Sequence, residues 1–271
     1  MGAQLSRRVA LATGLALPLA ARGARAGLQL RLVTGELPPY CFHVPPPTVA
    51  EGGRPMGLVY DVVREVAGRV GNPQTVEFLP WPRAQELALA GPDVGILALT
   101  RSPEREDRYR WIFNVVTDEL VLAGLPGVEL ADLAALKDRP VGVLRMSGAE
   151  TLLRELGFTS VEPAAEERNN AMRLRERRIE AWLAPRLMVR WAWQETGGEP
   201  DQLAFGEVVR PSEIWFAGSP GVEPEIAALW ARRFEELKAD GGYERIVARY
   251  LRPRSEPLPQ RELEIPWGTR G

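Results

Sequence analysis

The stretch that decides the fold covers residues 79–111 and reads LPWPRAQELALAGPDVGILALTRSPEREDRYRW. It begins with a segment of helical length that ends at Gly91, and residues 94–99 then form an uninterrupted apolar strand pattern. Thr100 follows directly, and Arg105 comes five residues later. Small ligands bind beyond the C-terminal ends of the strands in an open α/β sheet, so this hydroxyl and this guanidinium are the first candidates for a binding site.

Strand and helix patterns alternate on both sides of this stretch. Strand patterns lie at residues 28–32, 75–79, 94–100, 141–145, 179–184 and 214–217, helical patterns at 58–70, 82–90, 149–156, 170–177, 185–195, 224–239 and 243–251, and a Pro- and Gly-rich loop at 35–57. The alternation predicts parallel sheets with right-handed crossovers. Because the rhythm restarts after Pro140, the chain is predicted to contain two similar α/β units.

Residues 1–26 have the three parts of a secretory signal peptide. Arg7 and Arg8 form a basic start, residues 9–21 are apolar but too short to span a bilayer, and Ala24-Arg25-Ala26 is a small-residue cleavage site. Cleavage is expected near Ala26-Gly27. The pair of arginines also fits a partial twin-arginine signal, and the general secretory route is the favoured alternative.

The composition excludes several classes of function. The chain carries 34 basic and 36 acidic residues, and loss of residues 1–26 removes four arginines and no acid, leaving 30 against 36 and a net charge of −6. Such a chain offers no basic surface for nucleic acid. With one cysteine, Cys41, and one histidine, His43, neither an intramolecular disulfide nor a multi-ligand metal site is expected. No cofactor is expected.

The order and spacing of several short motifs resemble the bacterial extracellular solute-binding proteins of family 3, the periplasmic receptors for polar amino acids that serve ABC transporters. The resemblance covers residues 28–251. It rests on Leu32-Val33-Thr34-Gly35-Glu36 with Pro39-Tyr40, Gly57 and Asp61, Pro80-Trp81-Pro82-Arg83-Ala84, Asp93, Thr100 with Pro103-Glu104-Arg105, Val141-Gly142-Val143-Leu144 with Ser147, Arg178-Ile179-Glu180-Ala181, and Asp240-Gly241 before Tyr243. Each motif is weak alone, and their order and distances together are specific.

The resemblance implies a type II-like periplasmic binding protein fold, in which two α/β lobes with mainly parallel sheets are joined by two hinge strands. Lobe 1 would comprise residues 27–114 and 211–251, lobe 2 residues 115–210, and residues 252–271 a loosely ordered tail. The implied function is capture of a small polar or charged solute, an amino acid or related carboxylate, between the lobes. The protein would be a periplasmic monomer without enzymatic activity that delivers its ligand to an ABC transporter permease.

Four residues are predicted to bind a carboxylate of the ligand. In the resembling family the arginine that matches Arg105 holds the α-carboxylate, since a guanidinium donates two parallel hydrogen bonds. Thr100 supplies a hydroxyl, and Ser147 with Gly148 begins a lobe-2 helix whose free N–H groups favour an anion. The alternatives are a surface arginine paired with a nearby acid, a threonine at a strand end and a plain helix cap.

Four further residues are candidates for the rest of the site. Tyr40 and Trp81 would form aromatic walls, with burial in the core as the alternative. Arg83 follows Trp81 by two residues and would face the cleft unless it is a solvated helix-start residue. Glu36 ends the first strand and would meet a cationic group of the ligand.

One position departs from the family pattern. Amino-acid receptors of the family place an acid in lobe 2 to hold the ligand ammonium, where this chain reads Ala184-Pro185-Arg186. A buried ammonium without a counter-charge is costly. Either Glu36 replaces the missing acid, or the ligand is a carboxylate or other small anion with Arg83 and Arg186 nearby.

Two other functions remain open at the level of sequence. Some proteins of this fold act as cyclohexadienyl dehydratases, in which a carboxylic acid assists the loss of water, and Glu36 would be that acid if burial raised its pKa. The third hypothesis is a periplasmic accessory or sensory partner protein. Fold alone does not separate these functions.

Overall fold

The computed structural model describes residues 29–44 and 53–251. The predicted signal peptide at 1–26 and the predicted tail at 252–271 lie outside the described residues and stay predictions. Of the described helices, none combines the length and the apolar character needed to cross a bilayer.

Within residues 29–44 and 53–251, eight strands form one sheet, two more pair as a separate hairpin, and helices pack around the sheet. The strands are β1 (Arg31–Thr34), β2 (Phe42–Val44), β3 (Arg54–Met56), β4 (Val76–Phe78), β5 (Val94–Thr100), β6 (Arg110–Gly124), β7 (Val141–Leu144), β8 (Val161–Ala164), β9 (Ala181–Pro185) and β10 (Ala204–Gly218). The helices are α1 (Leu58–Val70), α2 (Trp81–Ala90), α3 (Gly148–Glu155), α4 (Glu167–Arg175), α5 (Arg186–Glu195), α6 (Pro224–Ala239) and α7 (Gly242–Leu251). The sheet order is β4-β1-β5-β10-β6-β9-β7-β8, and β2 pairs with β3 alone.

The two ends of the sheet are parallel, and its middle is antiparallel. Strand β1 pairs parallel with β4 and β5, and β7 pairs parallel with β8 and β9. Between these ends, β6 and β10 run antiparallel to each other over their whole length, from Ala204 opposite Gly124 to Gly218 opposite Arg110. The two long strands therefore connect two parallel α/β units.

Two regions of hydrophobic core lie at opposite ends of the long strands. The first core packs α1, α2 and α6 against β1 and β5, with the apolar stripe Val59, Val62, Val63 and Val66 of α1 fully buried. The second core covers both faces of the sheet at its β9–β7–β8 end. Leu183 of β9 packs on one face, and its chain neighbours Trp182 and Ala184 pack on the opposite face. The lobe boundaries at residues 114/115 and 210/211 stay a prediction.

Several sequence-predicted elements have the predicted bounds, whereas the long strands exceed them. The predicted helices at 58–70 and 224–239 and the strand at 94–100 match α1, α6 and β5. The region predicted as a loop at 35–57 contains the β2–β3 hairpin, and the short strand predicted at 214–217 is the last part of β10. The resemblance implies a hinge strand at the 114/115 boundary, and β6 extends beyond it in both directions. Its full length is hard to recognise because Asn114, Thr117, Asp118 and Glu119 interrupt the apolar pattern.

The packing of β5 against β10 can be tested at Gly95, with a glycine on an exposed helix face as the control. A Cβ at Gly95 would lie 2.8 Å from the Phe216 ring, which is itself fixed against Trp230. We expect Gly95→Ala to lower the free energy of unfolding by about 1–3 kcal/mol, because the buried ring has no room to move. Urea unfolding of the purified protein measures the change.

The control is Gly68→Ala on the exposed face of α1, where a Cβ would meet nothing within 4 Å. The same substitution is expected to raise the free energy of unfolding there by about 0.5–1 kcal/mol, through helix propensity. Equal effects at the two glycines would contradict the packing described for Gly95.

Candidate functional site

A cavity of about 40 Å³ lies where the C-terminal ends of β5, β7 and β9 meet the middle of β6 and β10. This is the edge of an α/β sheet at which ligands bind. The lining consists of an apolar wall with several polar groups: Leu37, Tyr40, Trp81, Ala98, Thr100, Arg105, Leu120, Leu144, Ser147, Gly148, Ala149, Glu167, Pro185, Met188, Arg210, Ser212 and Ile214. Six of the eight residues predicted from the sequence are therefore neighbours around one cavity, and their roles in binding stay predictions.

Arg105 brings a buried positive charge to the cavity. It lies in the short 3₁₀ helix after β5, and only 7% of its surface is exposed. Its guanidinium donates to the Thr100 carbonyl at 3.1 Å, to the Gln85 side-chain oxygen at 3.1 Å and to the Met146 carbonyl at 2.8 Å. None of the described carboxylates forms an ion pair with it, and burial lowers its pKa. A buried guanidinium whose partners are all neutral favours the binding of an anion, which would supply the missing counter-charge.

Contacts from Arg105 and Gln85 also join the two sides of the cavity. Gln85 lies on α2 and Arg105 follows β5, and both donate to the carbonyl of Met146, which lies in the turn between β7 and α3. Leu144 and Met188, from the other side, pack into the first core. The cavity is therefore closed, and a solute of amino-acid size requires the two sides to move apart.

The start of α3, whose residues are predicted to contribute to binding from lobe 2, lies at the cavity. Ser147 is the N-cap, and its hydroxyl accepts a hydrogen bond from the Glu150 N–H at 3.2 Å. Gly148 and Ala149 begin the helix and line the cavity. Their N–H groups belong to the first turn of the helix, which has no intrahelical acceptors and carries the positive end of the helix dipole.

Tyr40 forms one wall and also ties the hairpin region to β6. Its buried hydroxyl donates to Asp118 at 2.6 Å, and the same carboxylate accepts from the Leu187 N–H at 3.0 Å at the start of α5. Burial raises the pKa of Asp118, and the hydrogen bonds oppose that shift. This junction of β6, α5 and Tyr40 was missed in the sequence, since nothing in the implied hinge strand marked Asp118 as a partner of Tyr40.

Trp81 forms the second aromatic wall because of its position at the start of α2. It is 7% exposed, and it lies so close to Gly35 that a Cβ on this glycine would be 3.3 Å from the Trp81 ring. Both predicted aromatic residues thus serve the cavity and the first core together.

Glu36 and Arg83 do not reach the cavity, which corrects their predicted placement. The Glu36 carboxylate is exposed and binds the His43 ring and the His43 N–H at the β2–β3 hairpin. Arg83 is on the solvent face of α2, opposite the buried Trp81 and Ala84, and pairs with Glu86 at 3.1 Å. The helical period explains the second case, because two residues after Trp81 is the opposite face of the helix.

Glu167 is the acidic residue of the cavity, and the sequence analysis missed it. It begins α4, is 4% exposed, and accepts hydrogen bonds on Oε2 from the Asn170 side chain and the Trp182 ring, both at 2.8 Å. None of the described residues donates to Oε1. Burial raises the pKa of Glu167 to about 7. Its surroundings offered no recognisable motif, and only the packing of α4 turns the side chain inward.

Arg210 and Ser212 of β10 were also missed. The Ser212 hydroxyl is 2% exposed and has no hydrogen-bond partner among the described residues. Arg210 is partly buried, and its guanidinium makes no hydrogen bond or ion pair with any described residue. With Ile214, these residues alternate along one face of a strand, a period of two that would have been informative had the strand been predicted to this length.

The position that lacks the family acid is occupied by a proline at the cavity wall. Pro185 ends β9 and lines the cavity, whereas Arg186 turns to Glu119 at 2.6 Å and lies over the Phe205 ring. The predicted anion-binding role of Arg186 therefore has no support in its position.

The arrangement as a whole suits non-covalent binding of an anionic solute. In the described part of the chain, no three His, Cys, Asp or Glu side chains gather as metal ligands. The cavity brings together two guanidinium groups, the hydroxyls of Thr100 and Ser212, a helix N-terminus and one buried carboxyl. Such preorganised donors can hold a carboxylate with several charge-assisted hydrogen bonds.

Comparison with known proteins shows the fold. No protein-family model and no curated protein sequence matches this chain. A histidine kinase sensor domain with similarity to periplasmic binding proteins aligns at a TM-score of 0.71, with 18% identity over 83% of this chain and 97% of that domain. A histidine-bound substrate-binding protein of an ABC uptake transporter from Streptococcus pneumoniae gives 0.71, with 14% identity over 82% and 92%.

A third similar structure is the ancestral amino acid-binding protein AncCDT-1, a precursor of cyclohexadienyl dehydratase. Its TM-score is 0.68, with 16% identity over 83% of this chain and 96% of that chain. At these identities the likeness is one of fold, and it establishes the two-lobed periplasmic binding protein fold for this chain. The relation to family 3 in particular stays a prediction.

Glu167 should make stability depend on pH. Its pKa is raised from 4.5 to about 7, so its contribution to stability is present below pH 4.5 and is lost as the pH rises through 7. We expect the wild type to lose about 2–3 kcal/mol more than Glu167→Gln between pH 5 and pH 8, as measured by urea unfolding. Glutamine keeps an acceptor for Asn170 and Trp182 without the ionisation.

The matched control is Glu166→Gln, which removes the neighbouring exposed carboxylate. This variant should retain the pH dependence of the wild type. Parallel pH profiles for the wild type and Glu167→Gln would show that the buried carboxyl does not titrate as described.

Proposed function

We propose that this chain is a periplasmic solute-binding protein that holds a small carboxylate-bearing solute in the cavity and delivers it to an ABC transporter permease. The observation that carries the proposal is the buried guanidinium of Arg105, which lies beyond the end of β5 with neutral partners alone. A carboxylate there would neutralise a charge that the described residues leave unpaired.

The other groups of the cavity suit the same ligand. The Thr100 hydroxyl and the first turn of α3 lie around Arg105, and both can donate to carboxylate oxygens. Hydrogen bonds to a charged group contribute about 1.5–3 kcal/mol each, so a few of them account for micromolar binding. Tyr40 and Trp81 provide the walls that exclude water.

Delivery to a permease is consistent with a site that closes around its ligand. The donors come from both cores, so one ligand stabilises the arrangement in which the cores approach each other. Among the similar structures is a substrate-binding protein of an ABC uptake transporter, which supports this role over a freestanding carrier. The signal peptide predicted at residues 1–26 would bring the chain to the periplasm, where it would act as a monomer.

Arg105 can be tested by substitution once a solute is found in a thermal-shift screen of amino acids, mono- and dicarboxylates, polyamines and prephenate. A ligand at about 100 times its Kd adds about 2.7 kcal/mol of stability, which is a clear shift in Tm. We expect Arg105→Gln to raise the Kd at least tenfold, or about 1.4 kcal/mol, in isothermal titration calorimetry.

Arg83→Gln is the control, since this arginine lies on the solvent face of α2 and pairs with Glu86. Its Kd should equal that of the wild type. An unchanged Kd in Arg105→Gln would remove Arg105 from the site, and the absence of any shift across the whole panel would contradict a solute-binding function.

A second candidate is acid-assisted dehydration on the same scaffold. The favouring observation is Glu167, a buried carboxyl of the cavity whose pKa of about 7 lets it hold a proton at neutral pH. The sequence hypothesis assigned this work to Glu36, which is exposed and bound to His43. A similar structure is a precursor of cyclohexadienyl dehydratase. The proton of Glu167 would leave with the hydroxyl of prephenate as water while the ring carboxylate departs as carbon dioxide.

Turnover of prephenate decides this candidate. If it is correct, the wild type forms the aromatic product, seen by its ultraviolet absorbance, and Glu167→Gln reduces the rate at least a hundredfold. Glu36→Gln, outside the cavity, should retain the wild-type rate. Binding of prephenate without turnover by the wild type would leave the solute-binding function alone.

A further inference from the structure

Arg210 brings a second positive charge to the cavity, and a single carboxylate bound to Arg105 would leave that charge unpaired. It lies on β10, and no described residue accepts a hydrogen bond from its guanidinium or pairs with it. A Cβ on Gly148 would lie 3.6 Å from its Nη2, so the guanidinium is next to the first turn of α3. Two sources of positive potential therefore meet at this side of the cavity.

Arg210 and Arg105 also repel each other across the site. Burial is the main reason why the pKa of Arg105 is lowered, and the charge of Arg210 adds to this shift. Against the effect of burial, hydrogen bonds and the charges of both arginines lower the pKa of Glu104, which forms an ion pair with neither arginine. Like charges that face one cavity without pairing are destabilising, and a ligand that brings a negative group to each of them removes the repulsion.

The one carboxyl that lines the cavity does not balance these charges. Glu167 is held by the neutral donors Asn170 and Trp182 rather than by either arginine. Ser212 adds a second unpartnered group, since its hydroxyl is 2% exposed and lies on the same face of β10 as Arg210. An oxygen-rich group in front of β10 would satisfy both residues.

We propose that the solute is a small dicarboxylate, acidic amino acids included, with one carboxylate on Arg105 and the second on Arg210 and the Ser212 hydroxyl. This inference rests on the proposed solute-binding function and narrows its ligand class. Arg210 then sets specificity, because a neutral amide in place of the second carboxylate leaves its guanidinium unpaired.

Matched pairs of ligands test the inference by isothermal titration calorimetry. The probes are L-glutamate against L-glutamine, and succinate against its monoamide succinamate. The wild type should bind the dicarboxylate of a pair at least tenfold more tightly than the monoamide. Arg210→Gln should reduce that ratio to below about threefold while leaving the Kd of the monoamide within about threefold of wild type. Arg210→Lys, which keeps the charge, should retain part of the preference.

Arg232→Gln is the control for overall charge, since Arg232 lies on the exposed face of α6. It should keep the wild-type ratio, and thermal melts of all variants should confirm folding. A ratio near one in the wild type, or equal weakening of both ligands by Arg210→Gln, would overturn the dicarboxylate assignment and leave the solute-binding function in place. The same holds if only monocarboxylates or neutral amino acids bind. No binding by any solute of the wider panel would contradict both.

Discussion

The antiparallel pairing of β6 with β10 is the constraint on which the rest of the structure depends. Each strand has fifteen residues, and each belongs to both cores, so the first core is assembled mainly from two segments of the chain that flank the second core. The register of this pairing shifts four times, between Phe205 and Val208, Val208 and Arg210, Ile214 and Trp215, and Phe216 and Ala217. Bulges of this kind bend a strand and redirect its side chains. Arg210, Ser212 and Ile214 lie in the regular segment between the second and third shifts, and all three line the cavity.

Two hydrogen bonds to a single carbonyl cross the cavity, beside the apolar contacts that Leu144 and Met188 make with the first core. Arg105 and Gln85 both donate to Met146, whose backbone has a φ of 56°. For a residue with a side chain, that left-handed conformation costs about 1–2 kcal/mol. This cost offsets much of the stabilisation that the two hydrogen bonds contribute. These two hydrogen bonds alone therefore hold the sides of the cavity together only weakly. In the proposed solute-binding function, closure would then depend on the ligand and would reverse when the ligand leaves.

Elements with a strong local pattern were predictable from the sequence, whereas residues that reach the cavity through tertiary packing were missed. The apolar run of β5 and the stripe of α1 are strong periodic signals, and both elements have the predicted bounds. Thr100 and Arg105 were predictable because the end of a buried strand places them at the sheet edge. Glu167 and Arg210 carry no such signal. One is turned inward by the packing of α4, and the other lies on a strand whose polar middle reads as a connection.

Three polar groups without partners line the cavity, whereas other unpaired buried atoms of the described residues, such as Asn114 Oδ1 and Trp230 Nε1, belong to residues outside its lining. Among the described residues, the Ser212 hydroxyl, the Arg210 guanidinium and Oε1 of Glu167 all lack hydrogen-bond partners, and all three residues line the cavity. Each such group lowers the stability of the free protein, by about 1–3 kcal/mol where it is fully buried. Natural sequences tolerate such local violations mainly at functional sites. A ligand that pairs these groups recovers that free energy as affinity, so the same residues that weaken the free fold make binding selective.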